Sequence, residues 1–139
     1  MIKKVHHVGV AVAGIADARA IYEKVLGLRQ ESTDEVAAQK VRVAFYPCAD
    51  LRFELLEPTS PESTVARFLD HRGPGLHHVA FEVDDIRAEL ARLKKEGVQL
   101  IDAEPRVGAH GTLVAFLHPK ATGGVLFELV EPVGRGVGH

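Results

Sequence analysis

Residues 5–12, Val-His-His-Val-Gly-Val-Ala-Val, return as residues 76–83, Leu-His-His-Val-Ala-Phe-Glu-Val. A second pair of stretches follows the same rule: Phe53-Glu54-Leu55 ahead of Glu57-Pro58 returns as Phe127-Glu128-Leu129 ahead of Glu131-Pro132. His7 to His78 is a step of 71, as is Val43-Ala44-Phe45 to Val114-Ala115-Phe116, whereas Glu54 to Glu128 is a step of 74. The extra residues fall between His118 and Phe127, where Gly123-Gly124 marks a longer hairpin turn. A register kept this closely is that of a duplicated unit.

Each copy opens as a strand and continues as a helix. After residues 5–12, Ile15, Ala18, Tyr22 and Val25 fall at helical spacing before Gly27; after residues 76–83, Ile86, Leu90 and Leu93 line one face of a helix that stops at Gly97. Extended stretches follow at about 28–36, 39–47 and 51–57, and again at about 98–102, 112–118 and 125–131. The pattern predicts two βαβββ modules, over about 3–58 and 76–132. Between them Ser60-Pro61-Glu62 reads as a helix start, giving a connector helix over about 60–73 with Val65, Phe68 and Leu69 as its apolar stripe. At 139 residues, the modules are expected to share one domain, since each alone would be marginal. The tail after Pro132 is expected to be disordered.

Composition narrows the function classes. The chain is 46% apolar and 26% charged, and 17 basic against 19 acidic residues leave no broad positive field for nucleic acid. No apolar run approaches the roughly 20 residues that span a bilayer. The lone Cys48 and an opening Met-Ile-Lys-Lys without a secretory pattern point to the cytoplasm.

Strand parity selects the chemical groups. Val8, Val10 and Val12 share a face with His6, so that bulky face should meet the helix and leave His7 on the other side with Gly9 and Ala11. In the second copy Val79, Phe81 and Val83 side with His77, leaving His78 beside Ala80 and Glu82. Glu54 and Glu128 each stand between two bulky residues and point away from the helix side, whereas Glu57 shares the parity of Phe53 and Leu55. A histidine at a strand start, taken alone, is commonly a surface residue. Four such positions in a duplicated frame are different: two imidazoles and two carboxylates are a usual ligand set for one divalent metal ion.

With these positions the chain resembles the vicinal oxygen chelate superfamily. Within that superfamily, residues 2–132 are similar to the methylmalonyl-CoA epimerases. The most specific stretches are residues 57–69, Gly73-Pro74-Gly75-Leu76-His77-His78, and His118-Pro119-Lys120 through Leu129. The resemblance implies an α+β fold in which the modules form a cupped, barrel-like mixed sheet with helices outside. It implies a homodimer acting on an acyl-CoA substrate, with a metal held by His7, Glu54, His78 and Glu128; some members carry Gln at the position of Glu54. The ion could be cobalt, manganese, nickel, zinc or iron. The implied activity is that of an isomerase. It interconverts (R)- and (S)-methylmalonyl-CoA by removing and returning the proton alpha to the thioester, through a metal-stabilised enolate.

Proton exchange on both faces needs either two acid/base groups or one mobile group. Some members have Glu after a Gln-x-Val-Arg run, but here Gln39-Lys40-Val41-Arg42 is followed by Val43. Glu128 and His110 are the remaining candidates. Lys120 and Arg106, read as loop residues, are candidates for the CoA phosphates or the substrate carboxylate. Two alternatives share the frame: a glyoxalase I-type lyase acting on a glutathione hemithioacetal, and a metal-free small-molecule binding module. The stretches 57–69 and 118–120 favour the epimerase over the lyase, and retention of all four ligand positions disfavours the binding module. An extradiol dioxygenase would want two histidines, one carboxylate and open positions on iron.

Overall fold

The computed structural model describes residues 1–132, so the segment after Pro132, with its expected disorder, lies outside the described residues. Both halves have the βαβββ order. The first runs β1 (Ile2–Ala11), α1 (Ile15–Arg19), β2 (Ser32–Val36), β3 (Val41–Cys48) and β4 (Leu51–Pro58). The helix α2 (Thr64–Arg72) connects it to β5 (Gly75–Val83), α3 (Ile86–Lys95), β6 (Arg106–Val107), β7 (Leu113–Phe116) and β8 (Phe127–Glu131).

Two compact units result. One comprises residues 7–77, with strands in the order β2-β3-β4-β1; β3 is antiparallel to β2 and β4, and β4 is parallel to β1. The other takes residues 1–6 together with the chain from His78, and its strands run β1-β5-β8-β7-β6. There β5 and β8 are parallel, while β7 is antiparallel to β8 and β6. Strand β1 thus serves both units, its first residues in one and its last in the other.

Alternation along the strands builds each core. In the first unit Val10, Val12, Ala44, Tyr46 and Leu55 pack with Ile15 and Ala18 of α1. In the second, Val83, Ala115, Leu117 and Leu129 pack with Ile86 and Leu90 of α3. The recurrent Glu-Pro at the end of β4 and β8 has a mechanical role: Ile15 N–H donates to Glu57 Oε1 at 2.8 Å, and Ile86 N–H donates to Glu131 Oε1 at 3.0 Å. Each helix therefore has an amide of its first turn satisfied by a carboxylate from its own module's last strand, where negative charge also complements the helix dipole.

The structure departs from the sequence pattern in three places. The first helix changes character after Arg19: Ala20–Val25 is a π-helical turn, in which Leu26 N–H reaches Ile21 O at 3.0 Å. The wider turn rotates the apolar stripe, so Val25, expected inside, is 74% exposed. Tyr22 remains packed, with its ring 5.5 Å from Tyr46 and 6.1 Å from Phe53. The connector helix starts at Thr64 rather than at Ser60, because Ser63 is the cap, its hydroxyl accepting from Val65 N–H at 3.1 Å. Ser60 instead closes the preceding turn through Ser63 N–H to Ser60 O at 3.1 Å.

The strand expected at about 98–102 shrinks to a single bridge between Leu100 and Leu117. There the Asp102 carboxylate accepts from Phe116 N–H at 2.9 Å, competing with a regular ladder, and the pairing strand β6 forms later, at Arg106–Val107. Gly108 follows β6 because a Cβ there would lie 2.7 Å from Val114 Cγ1.

The buried Tyr46 hydroxyl donates to Glu23 Oε2 at 2.6 Å, and burial together with that carboxylate pushes the phenol up to about 12. A folded-state value above the unfolded one gives stabilisation that is complete below the ordinary phenol value of 10.0 and lost as pH rises towards about 12. Urea midpoints should therefore fall as pH rises above 10.0, and Tyr46→Phe should flatten that fall. An unchanged alkaline slope in the variant would show that this phenol is not its source.

Candidate functional site

The two modules repeat one local construction. In the unit of residues 7–77, Glu54 on β4 stands opposite Gly9 on β1 and opposite Phe45 on β3. In the other unit, Glu128 on β8 stands opposite Ala80 on β5 and opposite Phe116 on β7. Gly9, Phe45 and Glu54 are the repeat partners of Ala80, Phe116 and Glu128, so the duplication read from the chain is a duplication of register.

Each carboxylate lies against the histidine of its own module. His7 Nδ1 is 3.2 Å from Glu54 Oε2, and His78 Nε2 is 3.0 Å from Glu128 Oε1. The exposures of His7, Glu54, His78 and Glu128 are 5%, 5%, 7% and 4%, far lower than a solvated strand histidine or glutamate would show. Burying a carboxylate costs several kcal/mol unless it is compensated, and in both units an imidazole stands at hydrogen-bond distance. The neighbouring histidines behave differently: His6 and His77 are only partly buried, and the His77 ring packs edge-on against Phe68 at 5.0 Å.

The surroundings differ between the copies. Glu54 also has the Arg52 guanidinium 3.7 Å from Oε2; that guanidinium lies 4.9 Å over the Phe45 ring and 3.6 Å from Glu31. Arg52 pairs with His7 in the parallel β1/β4 register, so a cation flanks this histidine–carboxylate pair. In the second unit the His78 ring meets Phe116 edge-on at 5.4 Å, and Ala80, Val114 and Val130 form a small apolar cluster on the face away from α3. Glu82, third on that face of β5 after His78 and Ala80, is 6% exposed. Parity alone puts both Arg52 and Glu82 on these faces, but neither recurs in the repeat, so recurrence does not single them out.

The other sequence candidates lie on turns and edges. His110 is exposed, in a turn whose backbone is left-handed at φ 57 and ψ 25, an uncommon conformation for a non-glycine residue. Arg106 is a strand residue of β6 rather than a loop residue, and its Nε lies 3.2 Å from Asp102 Oδ1. Lys120 is exposed in a short turn after His118, with its amide donating to His118 Nδ1 at 3.1 Å. Cys48 is an exposed free thiol at the end of β3.

Residues 6–116 match the family described as the Glyoxalase/Bleomycin resistance protein/Dioxygenase superfamily. The ethylmalonyl-CoA/methylmalonyl-CoA epimerase of Cereibacter sphaeroides is 38% identical over 133 residues, covering 94% of this chain and 99% of the relative. A methylmalonyl-CoA epimerase structure from Mycobacterium tuberculosis superposes with a TM-score of 0.92 at 35% identity, covering 99% of this chain and 93% of that one. A Streptomyces coelicolor methylmalonyl-CoA epimerase variant, in complex with 2-nitronate-propionyl-CoA, gives a TM-score of 0.90 at 33% identity and covers 96% of both chains. The chain belongs to the methylmalonyl-CoA epimerase family.

Val43, which follows the Gln39-Lys40-Val41-Arg42 run, is 2% exposed and opposite Leu56 in the β3/β4 register. That place in the first unit is apolar and has no proton to move. Among the described residues no helix is long and apolar enough to cross a membrane.

Proposed function

We propose that this chain is a metal-dependent methylmalonyl-CoA epimerase, interconverting the (R) and (S) epimers by removing and returning the proton on the carbon between thioester and carboxylate. The observation that carries the reading is the buried histidine–glutamate pair built twice at one strand register, in a chain 38% identical to the Cereibacter sphaeroides epimerase over 94% of its length. The complex of the Streptomyces relative with a nitronate-propionyl-CoA adds support, since a nitronate is a planar carbon-acid anion and so is chemically like an enolate.

His7, Glu54, His78 and Glu128 would together hold one divalent ion. Two imidazoles and two carboxylates, all buried, are borderline and hard donors that suit cobalt, nickel, manganese, zinc or iron. Such an ion supplies Lewis-acid stabilisation of the negative charge that develops on the thioester oxygen. The chain's own residues do the rest. Phe45 and Phe116, beside the two carboxylates in the register, keep water from them, which strengthens electrostatic interactions there. Arg52 offsets part of the charge that Glu54 brings where some relatives have neutral Gln. A Glu128 oxygen, or His110 on its turn, supplies acid/base function at one face of the carbon. Lys120 is an exposed cation available to the CoA phosphates; Arg106 would first have to leave Asp102. A homodimer working in the cytoplasm fits this reading, with acyl-CoA as its small-molecule partner.

The test is deuterium uptake at the acyl carbon of methylmalonyl-CoA in deuterated water, with metal-stripped and cobalt-reloaded protein. Exchange with net epimerisation that depends on the metal is the expected result. Turnover of the glutathione hemithioacetal of methylglyoxal alone would replace the reading with the lyase, and reaction of neither would leave a binding module.

A further inference from the structure

We propose that Glu82 carries the proton for one face of the substrate carbon, a role that rests on the epimerase reading. The second unit presents on the face of β5 away from α3 the side chains of His78, Ala80 and Glu82, while Phe81 and Val83 pack on the helix side. In register, Ala80 stands opposite Glu128 and Glu82 opposite Val130, so Glu82 lies one diagonal step from Glu128. Glu82 is 6% exposed, on the face where Val130, Val114 and Ala80 are exposed by 1%, 3% and 0%.

The duplication isolates this residue. Each proposed ligand has a counterpart in the other copy, but the repeat position of Glu82 is Ala11, which is fully buried. A twofold frame explains a symmetric ligand set and does not explain one buried acid without a counterpart. Epimerisation by two groups, however, is asymmetric at the carbon: one takes the proton from one face while the other returns a proton to the opposite face. In this assignment the Glu82 carboxylate takes the alpha proton of one epimer. The C–H pair flows into the carbon–carbon bond of the enolate, and the acid/base group of the other face protonates the carbon to give the inverted product. The reverse reaction uses the same groups in exchanged roles.

The test compares Glu82→Gln and Glu82→Asp with the parent protein, each loaded with cobalt, by epimerisation rate, deuterium uptake from solvent into each separate epimer, and metal content. Glu82→Gln should lose about 10²- to 10⁴-fold in epimerisation. It should keep its metal and still take up deuterium, without inversion, into the epimer served by the other group. Epimerisation at the parent rate in Glu82→Gln would overturn the assignment. So would loss of metal in parallel with activity, which would make Glu82 a support for the ligands. Should Glu82→Gln fail to fold, Glu82→Asp decides: it keeps the charge but withdraws the carboxylate by one methylene, and an undiminished rate would refute the role. An inactive parent protein would instead refute the epimerase reading itself.

Discussion

Replacing His78 or Glu128 by alanine is expected to abolish metal retention and epimerisation together while leaving the fold in place. The two side chains lie 3.0 Å apart on the face of β5 and β8 away from α3. The core that holds this unit, Val83, Ile86, Leu90, Ala115, Leu117 and Leu129, lies on the opposite face and contains neither of them. Each truncation takes from one buried group the partner at 3.0 Å, at a cost of about 1–3 kcal/mol, which a domain of ordinary stability survives. In the proposed centre, loss of one ligand of four would remove a larger share of the metal's binding free energy, and with it the charge stabilisation that the ion would lend to proton removal. Metal content by elemental analysis, far-ultraviolet circular dichroism and the epimerisation rate check the three parts separately. Full activity in either variant would refute the four-ligand centre. Glu54→Gln makes a graded control, since it keeps an oxygen donor and removes only the charge that Arg52 faces at 3.7 Å.

The duplicated chain makes the frame legible, because strand parity and a fixed repeat step constrain each other. His7 separates from His6, and Glu54 from Glu57, by which neighbours are bulky, and the cores under α1 and α3 follow that division. The helix boundaries are less legible for local reasons. Ser60, followed by Pro61, reads as the cap, but the bond from Val65 N–H to the Ser63 hydroxyl starts the helix three residues later. The π turn after Arg19 keeps the composition of an α-helix while moving Val25 to the outside. The strand expected at about 98–102 carries the right residue types, but Asp102 occupies the Phe116 amide with its side chain. Repetition also conceals: it marks residues present twice, and Glu82 and Arg52 occur once.

Ile86→Ala should destabilise the protein strongly, and its repeat partner Ile15→Ala is the matched control. Ile86 is fully buried as the first residue of α3, packed with Val83, Leu90, Ala115, Leu117 and Leu129, while its amide is held by Glu131. Truncation removes three carbons from a site with little room to collapse, because Glu131 anchors the backbone beside the void. The expected loss is therefore in the upper part of the usual range of about 2–5 kcal/mol. Against a typical total of about 5–15 kcal/mol, such a loss is a large fraction of stability. Ile15 occupies the same place in the first unit, 5% exposed and held by Glu57 at 2.8 Å. Its helix, however, has only five α-helical residues before the π turn, and the turn leaves Ile21 and Val25 exposed. A less regular helix can settle into a cavity more readily, so Ile15→Ala should cost less. Urea midpoints at matched protein concentration and metal content measure both. Equal losses would mean that the carboxylate anchor sets how far each helix can move, and that the π turn gives the first unit no added freedom to relax.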